Sequence, residues 1–172
     1  IGDFSAVFLN DVKGVNANGV PQILYVIYQM MFALIASAII TGSLVGRIKL
    51  GVLALFLVFW SIFVYDSLAH MIWDERGFLL MRGGLDFAGG GVVHISAGTA
   101  GLSGVLMVGA RKEMPSSNEQ AHSIPYAFLG GILLFIGWLG FNAGSAGKVD
   151  EIAVNAFVVT IIAASSGYIA WI

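Results

Sequence analysis

Two ionisable side chains, Asp86 and His94, stand in a stretch that is otherwise apolar, glycine or serine. The stretch reads LDFAGGGVVHISAG over residues 85–98. An ionisable group inside a membrane segment is a functional candidate by default, because placing a charge in hydrocarbon is costly. An imidazole, whose ordinary pKa is about 6.5, can accept or relay a proton near neutral pH. His94 is therefore the first candidate for chemistry, as a proton acceptor or relay.

Both residues also have structural interpretations. His94 can donate a hydrogen bond to a neighbouring helix, and Asp86 can cap the helix that follows it, where a carboxylate accepts amide hydrogens and faces the positive end of the dipole. At about 1.5 Å per residue the two lie roughly 12 Å apart along a helix axis, too far to share a metal ion. No metal site is predicted, and the structural and functional interpretations both stay open.

A second cluster combines aromatic rings with a hydroxyl. In IGWLGFNAGSAG, Trp138, Phe141 and Ser145 follow at intervals of three and four, which places them on one face of a helix. Phe32 shares a helix face with two tyrosines in the same way. Such rings often form a belt at the membrane interface. Rings beside a hydroxyl also suit a small cation, which gains up to about 2 kcal/mol per desolvated ring.

The amino-acid composition indicates whether the helices that carry these residues lie in water or in lipid. Hydrophobic residues make up 58% of the 172 positions and charged residues only 10%, whereas soluble domains carry about 25% charge. This excludes a water-soluble domain. The net charge of −2 and the absence of cysteine argue against a nucleic-acid partner and against disulfide or thiolate sites. The chain begins at Ile1 and ends in an apolar run, so we expect an internal fragment of a longer protein.

Five runs are long enough, at about 20 residues, to cross a bilayer as helices. The fold class predicted is all-α, a polytopic transmembrane bundle. The expected spans are residues 21–45, 50–69, 87–110, 124–146 and 152–172. Lysine and arginine divide evenly, four to each side, so charge does not orient the chain. In the third span we expect His94 about 10 Å below a start at Phe87. We expect it to point into the bundle, on a face shared with Gly90, Gly91, Ala97, Gly98 and Gly101.

Several strings resemble the ammonium transporter (Amt/MEP/Rh) family, and its Amt branch in particular. YQMMFA, GRIKL, LDFAGGGVVHISAG and IGWLGFNAGSAG occur in that order. The resemblance implies a homotrimer of eleven-helix protomers, each with a narrow pore between two inverted five-helix repeats. The five predicted helices then correspond to the third to seventh helices of the family.

The resemblance also implies a role for each candidate residue. The implied roles are a gate at Phe32 and Phe141, an outer cation-recruitment site at Trp73, Ser145 and Phe32, a supporting acid at Asp86, and a pore histidine at His94. The second pore histidine of the family belongs to a helix that lies outside this sequence. After Trp73 the family is glycine-rich, but here the sequence is DERGFLLMRGG, which puts the placement of Trp73 in question.

The function implied is transport of ammonium or ammonia by a multi-pass protein of the plasma (cytoplasmic) membrane, not an enzyme. The expected partners are the substrate, the lipid bilayer, other copies in a homotrimer and a cytoplasmic regulatory protein, with no cofactor, metal or nucleic acid. An Amt-like ammonium sensor and an Rh-type gas channel remain alternatives. The tryptophan of HMIW weighs against the Rh type. An intramembrane hydrolase would need a second catalytic partner, which the sequence does not offer.

Overall fold

The computed structural model describes residues 6–111 and 123–172. These residues contain helices and no β-strand, as the sequence predicts. The long helices are α1 (Gln22–Leu44), α2 (Leu50–Trp73), α3 (Gly90–Val108), α4 (Ile124–Gly144) and α5 (Glu151–Trp171). Each has between 19 and 24 residues and is apolar enough to cross a membrane. The described residues form two compact units, 6–111 and 123–172.

Two helices differ from the predicted bounds where polar residues or glycines interrupt the apolar pattern. α2 continues beyond residue 69 to Trp73 and contains a π-helical stretch at Ser61–Tyr65. α3 begins at Gly90 and not at Phe87, because Gly89 has a φ of 94°, which a right-handed helix does not accept. The first turn of α3, Gly90–Ile95, is also π-helical. Such turns shift the helical register and often occur at functional sites.

In the first unit, α1 packs against α3 through small residues. The buried side chains of α1 recur at every fourth position: Phe32, Ala36, Ile40 and Leu44. A Cβ added to Gly101 would lie 2.6 Å from Ser43 Oγ, and one added to Gly104 would lie 2.8 Å from Leu44 Cδ2. Glycine at both positions therefore permits the close helix contact that is common between membrane helices.

Two arginines join the C-terminal ends of these helices. Arg47 donates from Nε to the Ser43 carbonyl at 3.0 Å and from Nη1 to the Gly109 carbonyl. Arg111 donates from Nε to the Val45 carbonyl at 3.1 Å. Cations at these positions satisfy carbonyls that the helices leave unpaired and face the negative ends of the helix dipoles.

The second unit consists of α4 and α5 packed against each other. Asn142 Nδ2 donates to Thr160 Oγ1 at 2.9 Å, and the Thr160 hydroxyl donates in turn to the Ala156 carbonyl at 2.6 Å. Asp150 caps α5 by accepting a hydrogen bond from the Ala153 amide at 3.0 Å. The two helices are therefore held together by a polar link as well as by apolar contacts.

Candidate functional site

Asp86 lies just before α3 and accepts four backbone hydrogen bonds from its first residues. Oδ1 accepts from the amides of Gly89 at 2.6 Å and Gly90 at 2.8 Å. Oδ2 accepts from the amides of Gly91 and Val92, both at 2.8 Å. One carboxylate thus satisfies the amides that a helix start leaves without partners. A Cβ on Gly91 would lie 3.2 Å from Oδ2, so the glycines let the backbone wrap closely around the carboxylate.

The indole of Trp73 is held from two sides, by the backbone of Asp86 and by α1. Its Nε1 donates to the Asp86 main-chain carbonyl at 2.8 Å. Its ring meets Phe32 edge to face, with centroids 5.4 Å apart and planes at 83°. Phe32 is buried and makes a second edge-to-face contact with Tyr28, at 5.0 Å. The structure therefore brings Trp73, Phe32 and Asp86 together, although they lie far apart in the sequence.

The charged turn after Trp73 is ordered by Asp74, a residue that was not among the predicted site residues. Its Oδ1 accepts from the backbone amide of Arg76 at 2.8 Å and from the guanidinium Nε at 3.3 Å. Its Oδ2 lies 3.5 Å from His70 Nδ1. The Arg76 backbone hydrogen bond, aided by the guanidinium and by His70, holds the pKa of Asp74 below its ordinary value. An aspartate followed two residues later by a backbone donor and then by glycine is a turn signature that could have indicated this role.

His94 lies in the π-helical turn at the start of α3, with its side chain exposed in this chain. The adjacent Val92 and Val93 are fully buried, as are Ala97 and Gly101 further along. Of the residues predicted to share a face with His94, Gly90 and Gly98 are exposed like the histidine, whereas Ala97 and Gly101 are buried. With α3 starting at Gly90, His94 is at most about 6 Å from the helix start and not about 10 Å.

The second unit holds the remaining predicted site residues at the C-terminal end of α4. The rings of Trp138 and Phe141 lie with centroids 5.4 Å apart and planes at 33°. The Ser145 hydroxyl, directly after α4, donates to the Phe141 carbonyl at 3.0 Å. The spacing of three and four residues therefore does place these side chains on one side of the helix.

Across residues 6–111 and 123–172, no group of three or more His, Cys, Asp or Glu side chains is arranged to hold a metal ion. The candidate site residues are instead aromatic rings, the Ser145 hydroxyl and the His94 imidazole, each on or beside an apolar helix. Aromatic faces attract cations, and a hydroxyl oxygen accepts hydrogen bonds from them.

The apolar helices and these polar positions within them define an integral membrane protein of the helical-bundle class. Comparison with known sequences identifies the family: a profile of the Ammonium Transporter Family matches residues 1–172. The chain belongs to the ammonium transporter family, which confirms the resemblance seen in the sequence.

Three relatives illustrate the extent of the match. An ammonium transporter of Aquifex aeolicus (strain VF5) is 44% identical over 169 residues, which is 98% of this chain and 39% of that protein. An ammonium transporter of Bacillus subtilis (strain 168) is 44% identical, over 89% of this chain and 37% of that protein. Ammonium transporter Amt1 of Archaeoglobus fulgidus is 40% identical, over 99% of this chain and 42% of that protein. The chain thus spans about two fifths of the length of these relatives.

Proposed function

We propose that this chain is part of a transporter that recruits NH4+ beside Trp73 and Phe32 and passes ammonium or ammonia across the bilayer along a path that includes His94. The observation that carries the proposal is the edge-to-face contact of Phe32 with an indole whose N–H is fixed on the Asp86 carbonyl. A small cation gains attraction from rings that are held in place before it arrives, because it does not have to order them on binding.

The cost of burying charge explains why recruitment and conduction use different residues. A charge at the bilayer centre costs at least about 2.5–3.5 kcal/mol on insertion scales. Passage is therefore easier if the nitrogen gives up its proton. In this scheme His94 accepts or relays that proton, and Asp86 holds the start of its helix.

The residues of the second unit complete the proposed path. The Ser145 hydroxyl uses its proton on the Phe141 carbonyl, and its oxygen, with two lone pairs, can accept an N–H of the cation. By resemblance to the family, Phe141 is assigned the role of a gate residue, the role that the resemblance also gives to Phe32. The proposal places the complete protein in the plasma membrane as a homotrimer, open to regulation by a cytoplasmic protein.

The test is Trp73→Leu in the full-length protein. Loss of ring attraction worth about 0.5–2 kcal/mol should raise the ammonium concentration for half-maximal current by about two- to thirtyfold. The maximal current should fall less, because Leu leaves the conduction path intact. Currents are recorded against ammonium concentration on membranes containing the purified transporter.

The matched control is Trp171→Leu, the same substitution at the exposed end of α5. It should leave half-saturation unchanged. Equal half-saturation in Trp73→Leu and the unsubstituted protein would contradict recruitment at Trp73.

A further inference from the structure

The turn after α2 carries two acids, and the structure gives them different surroundings. Asp74 accepts hydrogen bonds from Arg76 and lies against His70. Glu75 is exposed and forms no ion pair within the described part of the chain. We propose that Asp74 is a positioning residue for the Trp73 indole and that its charge does not gather cations. This inference rests on the proposed function, since it concerns the same recruitment site.

The contacts of Asp74 indicate which interaction matters. The Arg76 side chain is 86% exposed and its Nε lies 3.3 Å from Oδ1, so water screens most of this ion pair. The backbone amide of Arg76 donates to the same oxygen at 2.8 Å. The capping hydrogen bond is therefore the contact that shapes the turn, and it needs an acceptor oxygen more than it needs a charge.

Backbone hydrogen bonds connect the segment after Trp73 to the C-terminal end of α2, where Trp73 lies. The Asp74 amide donates to the His70 carbonyl at 3.2 Å, and the Leu79 amide donates to the Met71 carbonyl at 2.9 Å. Gly77 is buried between them, and a Cβ there would lie 2.5 Å from the carbonyl oxygens of His70 and Met71. No side chain fits at Gly77, and the two hydrogen bonds tie the turn to the backbone from which the indole extends.

Charge balance argues against direct attraction of a cation by Asp74. Arg76 and His70 both face this carboxylate, and Arg82 lies further along the same segment, with its guanidinium 3.7 Å from the Phe78 ring centroid. An acid that already faces a guanidinium contributes little net field to an approaching cation. Glu75 is the better candidate for long-range attraction, and it serves as the matched control.

The experiment compares Asp74→Ala, Asp74→Asn and Glu75→Gln in the full-length transporter. Ammonium and methylammonium currents are measured at low and at high ionic strength. Asp74→Ala should raise half-saturation by about two- to fivefold at both ionic strengths and weaken discrimination between the two amines, since it frees the indole. Asp74→Asn, which keeps an oxygen for the Arg76 amide, should stay within about twofold of the unsubstituted protein. Glu75→Gln should keep the amine discrimination.

Several outcomes would overturn the inference. Equal shifts in Asp74→Ala and Asp74→Asn that vanish at high ionic strength would show that the charge attracts the cation. If Asp74→Ala adds its full effect on top of Trp73→Leu, the two residues act independently, because a residue that works through Trp73 cannot do so once the indole is gone. An unshifted Trp73→Leu would instead refute the proposed function, which separates the two failures.

If Asp74→Ala does not assemble, Asp74→Ser can replace it in the experiment. Asp74→Ser removes the charge and keeps an oxygen that can cap the turn. Half-saturation near that of the unsubstituted protein supports positioning by Asp74, and a salt-sensitive shift contradicts it.

Discussion

Replacing Asp86 by asparagine tests whether its four hydrogen bonds hold the start of α3. The two side chains have the same shape, but a carboxylate offers two acceptor oxygens and an amide offers one oxygen and one NH2 group. Whichever way the amide is oriented, two of the four backbone N–H groups face another donor. Asp86→Asn therefore removes one pair of bonds and leaves two amides at the helix start without partners.

The magnitude follows from the number of bonds lost. Hydrogen bonds to a charged group are worth about 1.5–3 kcal/mol each, so losing two should lower the free energy of unfolding by about 3–6 kcal/mol. The lower end is expected, because Asp86 is only partly buried and water can reach the freed amides. The main-chain carbonyl of Asp86 should shift as well. This shift would break the hydrogen bond that the carbonyl accepts from Trp73 Nε1.

The assay is thermal unfolding of the full-length protein in detergent, followed by intrinsic fluorescence. Asp150→Asn is the matched control, because Asp150 caps α5 through the Ala153 amide and asparagine caps as well as aspartate. The Lys148–Asp150 ion pair that it also removes, at 3.2 Å, is partly exposed and contributes little. The control should unfold close to the unsubstituted protein and Asp86→Asn well below it. Equal unfolding temperatures for the two variants would refute the argument that the four bonds stabilise α3.

Three further predictions concern the pore, the second unit and pH. If the proposed path includes His94, His94→Ala should abolish charge movement on addition of ammonium while the full-length protein still assembles in the membrane; normal currents or failed assembly would show that His94 is not a relay. Asn142→Ala and Thr160→Val should each weaken the α4–α5 contact by about 0.6–2 kcal/mol in unfolding experiments. Their effects should not add, and Thr160→Ser should be mild, since it keeps the hydroxyl that accepts the Asn142 hydrogen bond. Because the pKa of Asp74 is lowered, the charge-dependent part of its contribution to stability is complete above the ordinary carboxyl pKa and lost as the pH falls through the lowered value. Thermal unfolding at acid pH should show this loss and Asp74→Asn should lack it, whereas tryptophan fluorescence should hold, because the protonated carboxyl keeps an acceptor oxygen for the Arg76 amide.

The helices could be predicted from the sequence because lipid imposes a simple rule, namely about 20 apolar residues per span. The rule is weaker at helix ends. The polar residues Asp66, Ser67 and His70 suggested an end near residue 69, yet α2 continues to Trp73. Phe87 is apolar and was expected inside α3, but the positive φ of Gly89 delays the helix.

The contacts at the site depend on tertiary structure that spacing does not encode. Aromatic spacing along one helix predicted the Trp138–Phe141 contact, because both residues share α4. The Trp73–Phe32 contact joins two different helices, and the Trp73–Asp86 hydrogen bond closes a loop of irregular structure. Helical periodicity carries no information on either, so only the resemblance to a family grouped these residues beforehand.

The π-helical turns explain why the environment of His94 was the hardest feature to predict. A π-helical turn inserts an extra residue into the helical repeat, which rotates everything before it relative to everything after it. Counting in steps of three and four from His94 is therefore unreliable across Gly90–Ile95. Within this turn Val92 and Val93 are fully buried, whereas the His94 side chain is exposed. A helix start built on one carboxylate and several glycines can adopt such a turn, because its amides are satisfied by Asp86 and need no regular backbone partners.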